Sequence, residues 1–164
     1  MNAISMLRAE HDSLRASLRR VGLEAGAGDR AGFLALKREV ELHYVVEEET
    51  FYPAIHADPR TFEFGGMDRH QHQRVAADLS GMAALPAGSA EWPARFDAMR
   101  GRLCALMDDE ERDIFGKISG VMRPEELAEL GLRMAAVRSG MEAAARMRNP
   151  REFHQDPGDD WPSR

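Results

Sequence analysis

His43 and Glu47 lie four residues apart. On a helix that spacing leaves about 40° between them, so an imidazole and a carboxylate share one face, a turn apart. Both fall in a row with Phe33, Leu36, Val40 and Phe51, the apolar stripe of one predicted helix. An ionised Glu among Leu and Phe is costly unless something positive neutralises it. A divalent or trivalent metal ion does so, and imidazole with carboxylate is a ligand mix that suits iron. Taken alone, the pair could instead be a helix-surface contact worth about 0.2–0.5 kcal/mol. His11, in line with Leu7, Leu14 and Leu18, is either a core imidazole or a further ligand. His70 and His72 cannot both face inward, because they are about 200° apart around a helix. The row through Val75 and Leu79 favours His72, and His70 stays as the alternative. Glu110 lies in line with Phe96, Met99, Leu103 and Leu106, with Glu111 beside it; the run Asp108 to Glu111 can also be read as a solvated face.

Five predicted helices must bring these residues together. The first runs from about Ile4 to Glu24, with Leu7, His11, Leu14, Leu18 and Val21 as its stripe, and is broken by Gly22, Gly26 and Gly28. Asp29 caps the second, and Pro53 marks its last turn or a kink. Residues 57–66, with Pro59, Gly65 and Gly66, read as a loop. The third helix spans about Asp68 to Leu85, with Val75, Leu79 and Met82 inward. Pro93 opens the fourth, whose stripe continues through Glu110 to Ile114. Pro124, Glu125 and Glu126 open the fifth, which continues through Leu127, Leu130, Met134, Val137 and Met141. Met134, Met141 and Met147 read as core or as a dimer contact, Cys104 as a small buried hydrophobe, and His56 and His154 as surface residues. From Asn149 the prolines and acidic residues predict a frayed tail. The wording His43-x-x-x-Glu47-Glu48…Phe51-Tyr52-Pro53 is echoed by Leu106-x-x-x-Glu110-Glu111…Ile114-Phe115-Gly116, which suggests a repeat of two helix pairs.

The bulk composition agrees. Of 164 residues, 43% are hydrophobic and 30% charged, enough for one packed core. Only 7% are aromatic while Met reaches 10, which favours a helical core over a β-sandwich. The net charge of −6, with no isolated basic run, speaks against a nucleic-acid or anionic-membrane partner. The single Cys104 allows no internal disulfide and no thiolate metal site. No signal-peptide core or bilayer-length apolar run is seen, so a cytoplasmic protein is expected.

These motifs together resemble the hemerythrin-like (HHE cation-binding) family. His11 within Glu-His-Asp, and His43-x-x-x-Glu47-Glu48 followed by Phe-Tyr-Pro, look like its first two helices. Gln71-His72 through Leu79 resembles its third helix, and Met107 through Phe115 its fourth, so the likeness spans roughly residues 5 to 118. The resemblance implies an all-α, up-down-up-down four-helix bundle around a non-haem di-iron centre. Here that bundle would occupy residues 1–122, residues 123–148 would form an additional C-terminal helix on the bundle or on a partner, and residues 149–164 a flexible tail. The implied metal ligands are His11, His43, Glu47, His72 (or His70) and Glu110, with Glu47 and Glu110 as bridging carboxylates. The chain departs from the family at Leu106, where a fourth-helix His ligand is expected. It departs again at Ala76, or Arg74 counted from His70, where fuller members carry a further His. An alkyl chain cannot replace an imidazole, so one or two iron ions are expected, the second weakly held or absent.

Family members bind dioxygen, sense iron, oxygen or nitric oxide, or handle peroxide. The expectation for this chain is a binding or sensing role with a small ligand such as dioxygen or another diatomic, not turnover, since no nucleophile with its base, phosphate loop or cofactor fingerprint is present. Peroxide chemistry at an open iron position is a weaker alternative. Another is a metal-depleted bundle serving as a protein-interaction or regulatory module, docking a partner or a second copy through a fifth helix that carries Arg133, Arg138, Arg146 and Arg148.

Overall fold

Apolar residues at spacings of three and four dominate the chain, and they fold into helices whose stripes all face one axis. The computed structural model describes residues 1–24, 29–64, 69–86 and 88–148. Its main elements are α1 (Ala3–Glu24), α2 (Arg30–Val46), α3 (Tyr52–Ala57), α4 (Arg69–Ala83), α5 (Trp92–Asp109), α6 (Gly116–Val121) and α7 (Pro124–Arg148). A π-helical turn, Glu47–Phe51, joins α2 to α3, and a second, Glu110–Phe115, joins α5 to α6. Each of these joined pairs is one long helix, so the fold is an all-α bundle of five helices with no strand among the described residues.

Two apolar clusters fill the bundle. Leu14, Leu18, Phe33, Leu36, Val40, Val75, Leu79, Phe96, Met99 and Leu103 form the upper one. Ile4, Leu7, Val46, Phe51, Ile55, Phe115, Ile118, Leu127 and Leu130 belong to the lower one. α1 climbs from the lower to the upper cluster, α2 descends, α4 lies along the upper cluster and α5 descends again. Between the clusters runs a band of buried polar residues: His11, His43, Glu47, His72 and Glu110. The buried rows of the first three helices fall where the spacing places them.

Several local expectations need correction. Gly22 does not end α1, which continues to Glu24. A Cβ on Gly22 would stand 3.2 Å from the Phe96 ring, so the glycine allows close packing within a helix. Pro53 does not end its helix, which runs on to Ala57. The π turn before it shifts the Tyr52 N–H to the Glu47 carbonyl, loosening the ladder next to the residue that cannot donate. On α5 and the π turn after it, Met107 and Phe115 face inward, while Leu106 and Ile114 are only half buried. The π turn supplies the reason: it inserts one residue per turn and moves the buried position from Ile114 to Phe115. Cys104 is half buried at the edge of the upper cluster. Gly26, Gly28, Gly65, Gly66, Asp68, His154 and the tail 149–164 lie outside the described residues.

The C-terminal helix α7 packs against α1 and α2. Leu127, Leu130 and Met134 enter the lower cluster. A Cβ on Gly131 would lie 3.0 Å from backbone atoms of Met1, Asn2 and Ala3, so the glycine allows this close approach of α7 to the start of α1. Beyond Met134 the apolar row leaves the core: Val137 is half buried, Met141 is 36% exposed and Met147 81%, against the reading of these methionines as core. No helix among the described residues is long and apolar enough to cross a membrane.

Candidate metal centre

The polar band joins three long helices at one point. His11 from α1, His43 at the end of α2, and Glu47 and Glu110 at the starts of the two π turns are all buried, and one ligand atom from each lies within 4.8 Å of every other. Both carboxylates enter where a π turn widens the helix, so the two turns present equivalent side chains to the axis. His11 Nε2 is 3.4 Å from Glu110 Oε2, and His43 Nε2 is 3.4 Å from Glu47 Oε1. His11 Nε2 and both Glu47 oxygens are buried with no hydrogen-bond partner. Buried polar atoms are nearly always satisfied, so three of them facing one point mark a place for a cation.

His72 is buried too, outside that group of four, with Nε2 3.8 Å from Glu47 Oε2. His70 is exposed on the opposite side of α4, and the structure does not bring it to the cluster. The inward row Val75, Leu79 and Met82 had selected His72 on the same geometry.

Each inward imidazole is held from behind. His11 Nδ1 donates to Glu111 at 2.8 Å, His43 Nδ1 to Glu10 at 2.8 Å and His72 Nδ1 to Glu48 at 3.1 Å. A carboxylate can only accept, so these bonds place the proton on Nδ1 and leave the Nε2 lone pair facing the cluster, the arrangement typical of metal-bound histidines. Glu10 in turn accepts from Arg138 of α7 at 3.1 Å. Glu111 accepts from Arg15 at 2.9 Å, and Arg15 also reaches Asp108. Tyr52 donates to Glu110. Glu10, Glu48 and Glu111 are immediate sequence neighbours of His11, Glu47 and Glu110, and each supports a histidine on an adjacent helix. That adjacency was the available signal; Tyr52 was visible only as part of the Phe51-Tyr52-Pro53 motif, and Arg138 gave no signal for the site.

The electrostatics fit a cation. Burial, compounded by the charges of Glu110, Glu10 and Glu48, pushes the Glu47 carboxyl well above the usual carboxylate range. Burial pushes Glu110 the same way, but His11, Tyr52 and the charge of His43 outweigh it and hold Glu110 below its ordinary value. Burial lowers the His43 pKa despite its bond to Glu10, which favours the neutral form that can ligate. Without a positive ion, one proton must sit among carboxylates that would otherwise repel. The donor set of two imidazoles and two carboxylates, with no thiolate, suits iron and fits less well with soft metals.

The two halves of the site are nearly equivalent. Phe33, Leu36, Val40, Glu47, Glu48, Tyr52 and Ile55 match Phe96, Met99, Leu103, Glu110, Glu111, Phe115 and Ile118 at one constant offset. His11–Glu111 and His72–Glu48 are matching contacts. His43 is matched by Leu106, and its support Glu10, which precedes His11, is matched by Gln71, which precedes His72. One half thus lacks both an imidazole and the carboxylate that would hold it.

A five-helix bundle with such a band defines a carboxylate- and histidine-bearing cation-binding domain. The chain belongs to the hemerythrin family: the profile of the hemerythrin HHE cation-binding domain matches residues 2–118. It is similar to uncharacterized proteins of Mycobacterium tuberculosis and Mycobacterium bovis, each 28% identical over 140 residues that cover 83% of this chain and 84% of the relative. The crystal structure of a hemerythrin HHE cation-binding domain-containing protein from Mycobacterium kansasii, a homologue of that Mycobacterium tuberculosis protein, shares the fold. Its TM-score is 0.77 at 24% identity, covering 93% of this chain and 94% of that one.

Proposed function

We propose that this protein binds non-haem iron through His11, His43, Glu47 and Glu110, with His72 completing the set, and binds or senses a small oxidant or diatomic ligand there. One observation carries the reading. Buried, unpartnered ligand atoms from three long helices meet at one point, and the imidazoles are oriented by carboxylates behind them. Iron bound there would supply redox chemistry and an open coordination position for a small molecule. The chain's own residues exclude water, aim the lone pairs and hold the Nδ1 protons. Leu106 in place of an imidazole supports an asymmetric centre with one firmly held ion and a second weakly held or absent. The buried setting and cytoplasmic expectation suit a sensing role.

Metal analysis of protein made in iron-supplemented medium tests this. Iron should copurify, raise the melting temperature and be lost in His43→Ala. A metal-free wild type whose melting is unchanged by added ferrous iron would overturn it. In that case the alternative, a metal-depleted interaction module, stands, and Leu106 is the feature that favours it.

A further inference from the structure

We propose that the groove between α2 and α7 is a self-association surface, filled by the same face of a second copy of this chain. The proposal does not depend on metal and stands apart from the iron-binding reading.

α2 runs down from the upper cluster and α7 climbs beside it from the lower one, tied to it by the Arg138–Glu39 pair. Leu42 and Val45 of α2, with Met141 and Ala145 of α7, line a groove of about 460 Å³ between them. Residues three and four apart share a helix face, so each helix turns an apolar strip to the groove. Met147 stands between two further lining residues, Arg146 and Arg148, and protrudes into solvent. The outer half of α7 thus carries exposed methionines that the bundle's own core does not use, and no described residue closes the groove over them. A cavity and a protruding methionine on one face are complementary under two-fold rotation, which carries each methionine to the other copy's groove.

The charges select the occupant. Around the apolar floor stand Arg38, Arg146 and Arg148 and also Glu39, Glu41 and Glu142, three of each sign. The chain as a whole carries a net charge of −6, so two copies repel over most of their surfaces. This face is balanced, and a two-fold contact can set arginines of one copy against glutamates of the other. A strongly acidic or strongly basic partner would meet as many like charges as opposite ones. Arg148 has no ion-pair partner among the described residues, which leaves its guanidinium for a carboxylate of the second copy. Glu39 and Glu142 on the rim also hold Arg138, so the contact lies beside the guanidinium that supports Glu10 behind His43.

Sedimentation velocity of the full chain over a wide range of concentration tests the proposal. The wild type should form a dimer that dissociates on dilution. Met141→Lys and Met147→Lys should each weaken association about tenfold or more, because each sets a charge into an apolar contact. Both side chains lie outside the core, and unchanged helical circular dichroism would show that the variants fold. Leu132→Lys makes the same change at a residue of α7 that is 72% exposed and outside the groove, and it should leave association unchanged. A single-chain mass for the wild type up to about 1 mM overturns the proposal and leaves the groove to residues 149–164 or to a different protein. Association that survives both methionine variants, or that only Leu132→Lys disrupts, overturns it as well.

Discussion

Arg138 of α7 donates to Glu10 Oε1 at 3.1 Å, while Glu10 Oε2 takes the Nδ1 proton of His43 at 2.8 Å. Arg138 also bonds Glu39 at 2.6 Å and Glu142 at 3.2 Å. A helix outside the region matched by the family thus reaches the back of a candidate metal ligand through a single carboxylate. Arg138, which the sequence offered as part of a docking surface, is occupied within the chain.

That relay can be cut without touching a ligand. Arg138→Gln should leave the melting temperature of the metal-free protein nearly unchanged, because the guanidinium is partly exposed and such pairs contribute little. It should speed iron release to a chelator by about tenfold, the usual scale for loss of a group behind a metal ligand. Arg138→Lys should recover part of that loss. Release rates indistinguishable among the three proteins would separate α7 from the site.

Removing the buried charge should change how metal-free protein responds to pH. Glu47 has a raised pKa in the folded state, so from the ordinary carboxylate range up to that raised value the folded chain holds a proton the unfolded chain has lost. Stability therefore falls as pH rises through this window. His43 has a lowered pKa, so its contribution is lost as pH falls below the ordinary histidine value, where only the unfolded chain takes up the proton. Glu47→Gln should abolish the alkaline-side decline and keep the acid-side one. At about pH 8 the metal-free variant should melt higher than wild type, by roughly 2–4 °C for each kcal/mol of relieved burial. Differential scanning calorimetry in the presence of chelator reads this directly, and parallel curves for the two proteins would contradict it.

Much of this was legible as periodicity. The rows Leu7–Val21, Phe33–Phe51 and Val75–Met82 placed His11, His43, Glu47 and His72 on inward faces, and the structure buries all four. The echo between the second and fourth helices became a near-equivalent pair of half-sites. A π turn has no sequence signature in a 3.6-residue reading, so Ile114 was placed too deep and Phe115 was passed over, while Leu106 and Met107 lie before the turn and were equally allowed by the spacing. Arg138 lies 128 residues from Glu10, and only tertiary folding makes them neighbours. Tyr44 sits one position off the inward row, and its stacking on His72 depends on how α2 and α4 approach.

The half-site comparison gives a constructive test. Leu106→His should raise iron content per chain and add the visible absorption of a bridged diferric pair. Gln71→Glu by itself should do neither. The double substitution should exceed Leu106→His alone, because the new imidazole gains the carboxylate that Glu10 gives His43. Metal analysis with absorption spectroscopy checks all three, and unchanged iron in both Leu106 variants would mean the helix correspondence is wrong.

Stability of the lower cluster should depend on α7. Leu130 is fully buried, and Leu130→Ala should cost about 2–5 kcal/mol by transfer and cavity terms. Gly131→Ala should also destabilise, because its new methyl meets backbone rather than a yielding side chain. Urea unfolding of the metal-free variants measures both, and a Gly131→Ala protein as stable as wild type would show that the start of α1 can move away freely.

The two π turns have a consequence for how the chain tolerates length changes. Each adds a residue to a long helix at the level of the carboxylates, so everything below is rotated in phase on both sides of the axis. Deleting one residue within Glu110–Phe115 would spin α6 relative to α3 and turn Phe115 and Ile118 out of line with Phe51 and Ile55. Matched deletions in both turns would restore that phase yet withdraw the pair of acidic side chains from the axis. The register of the lower bundle and the convergence of its carboxylates are thus written into the same two insertions.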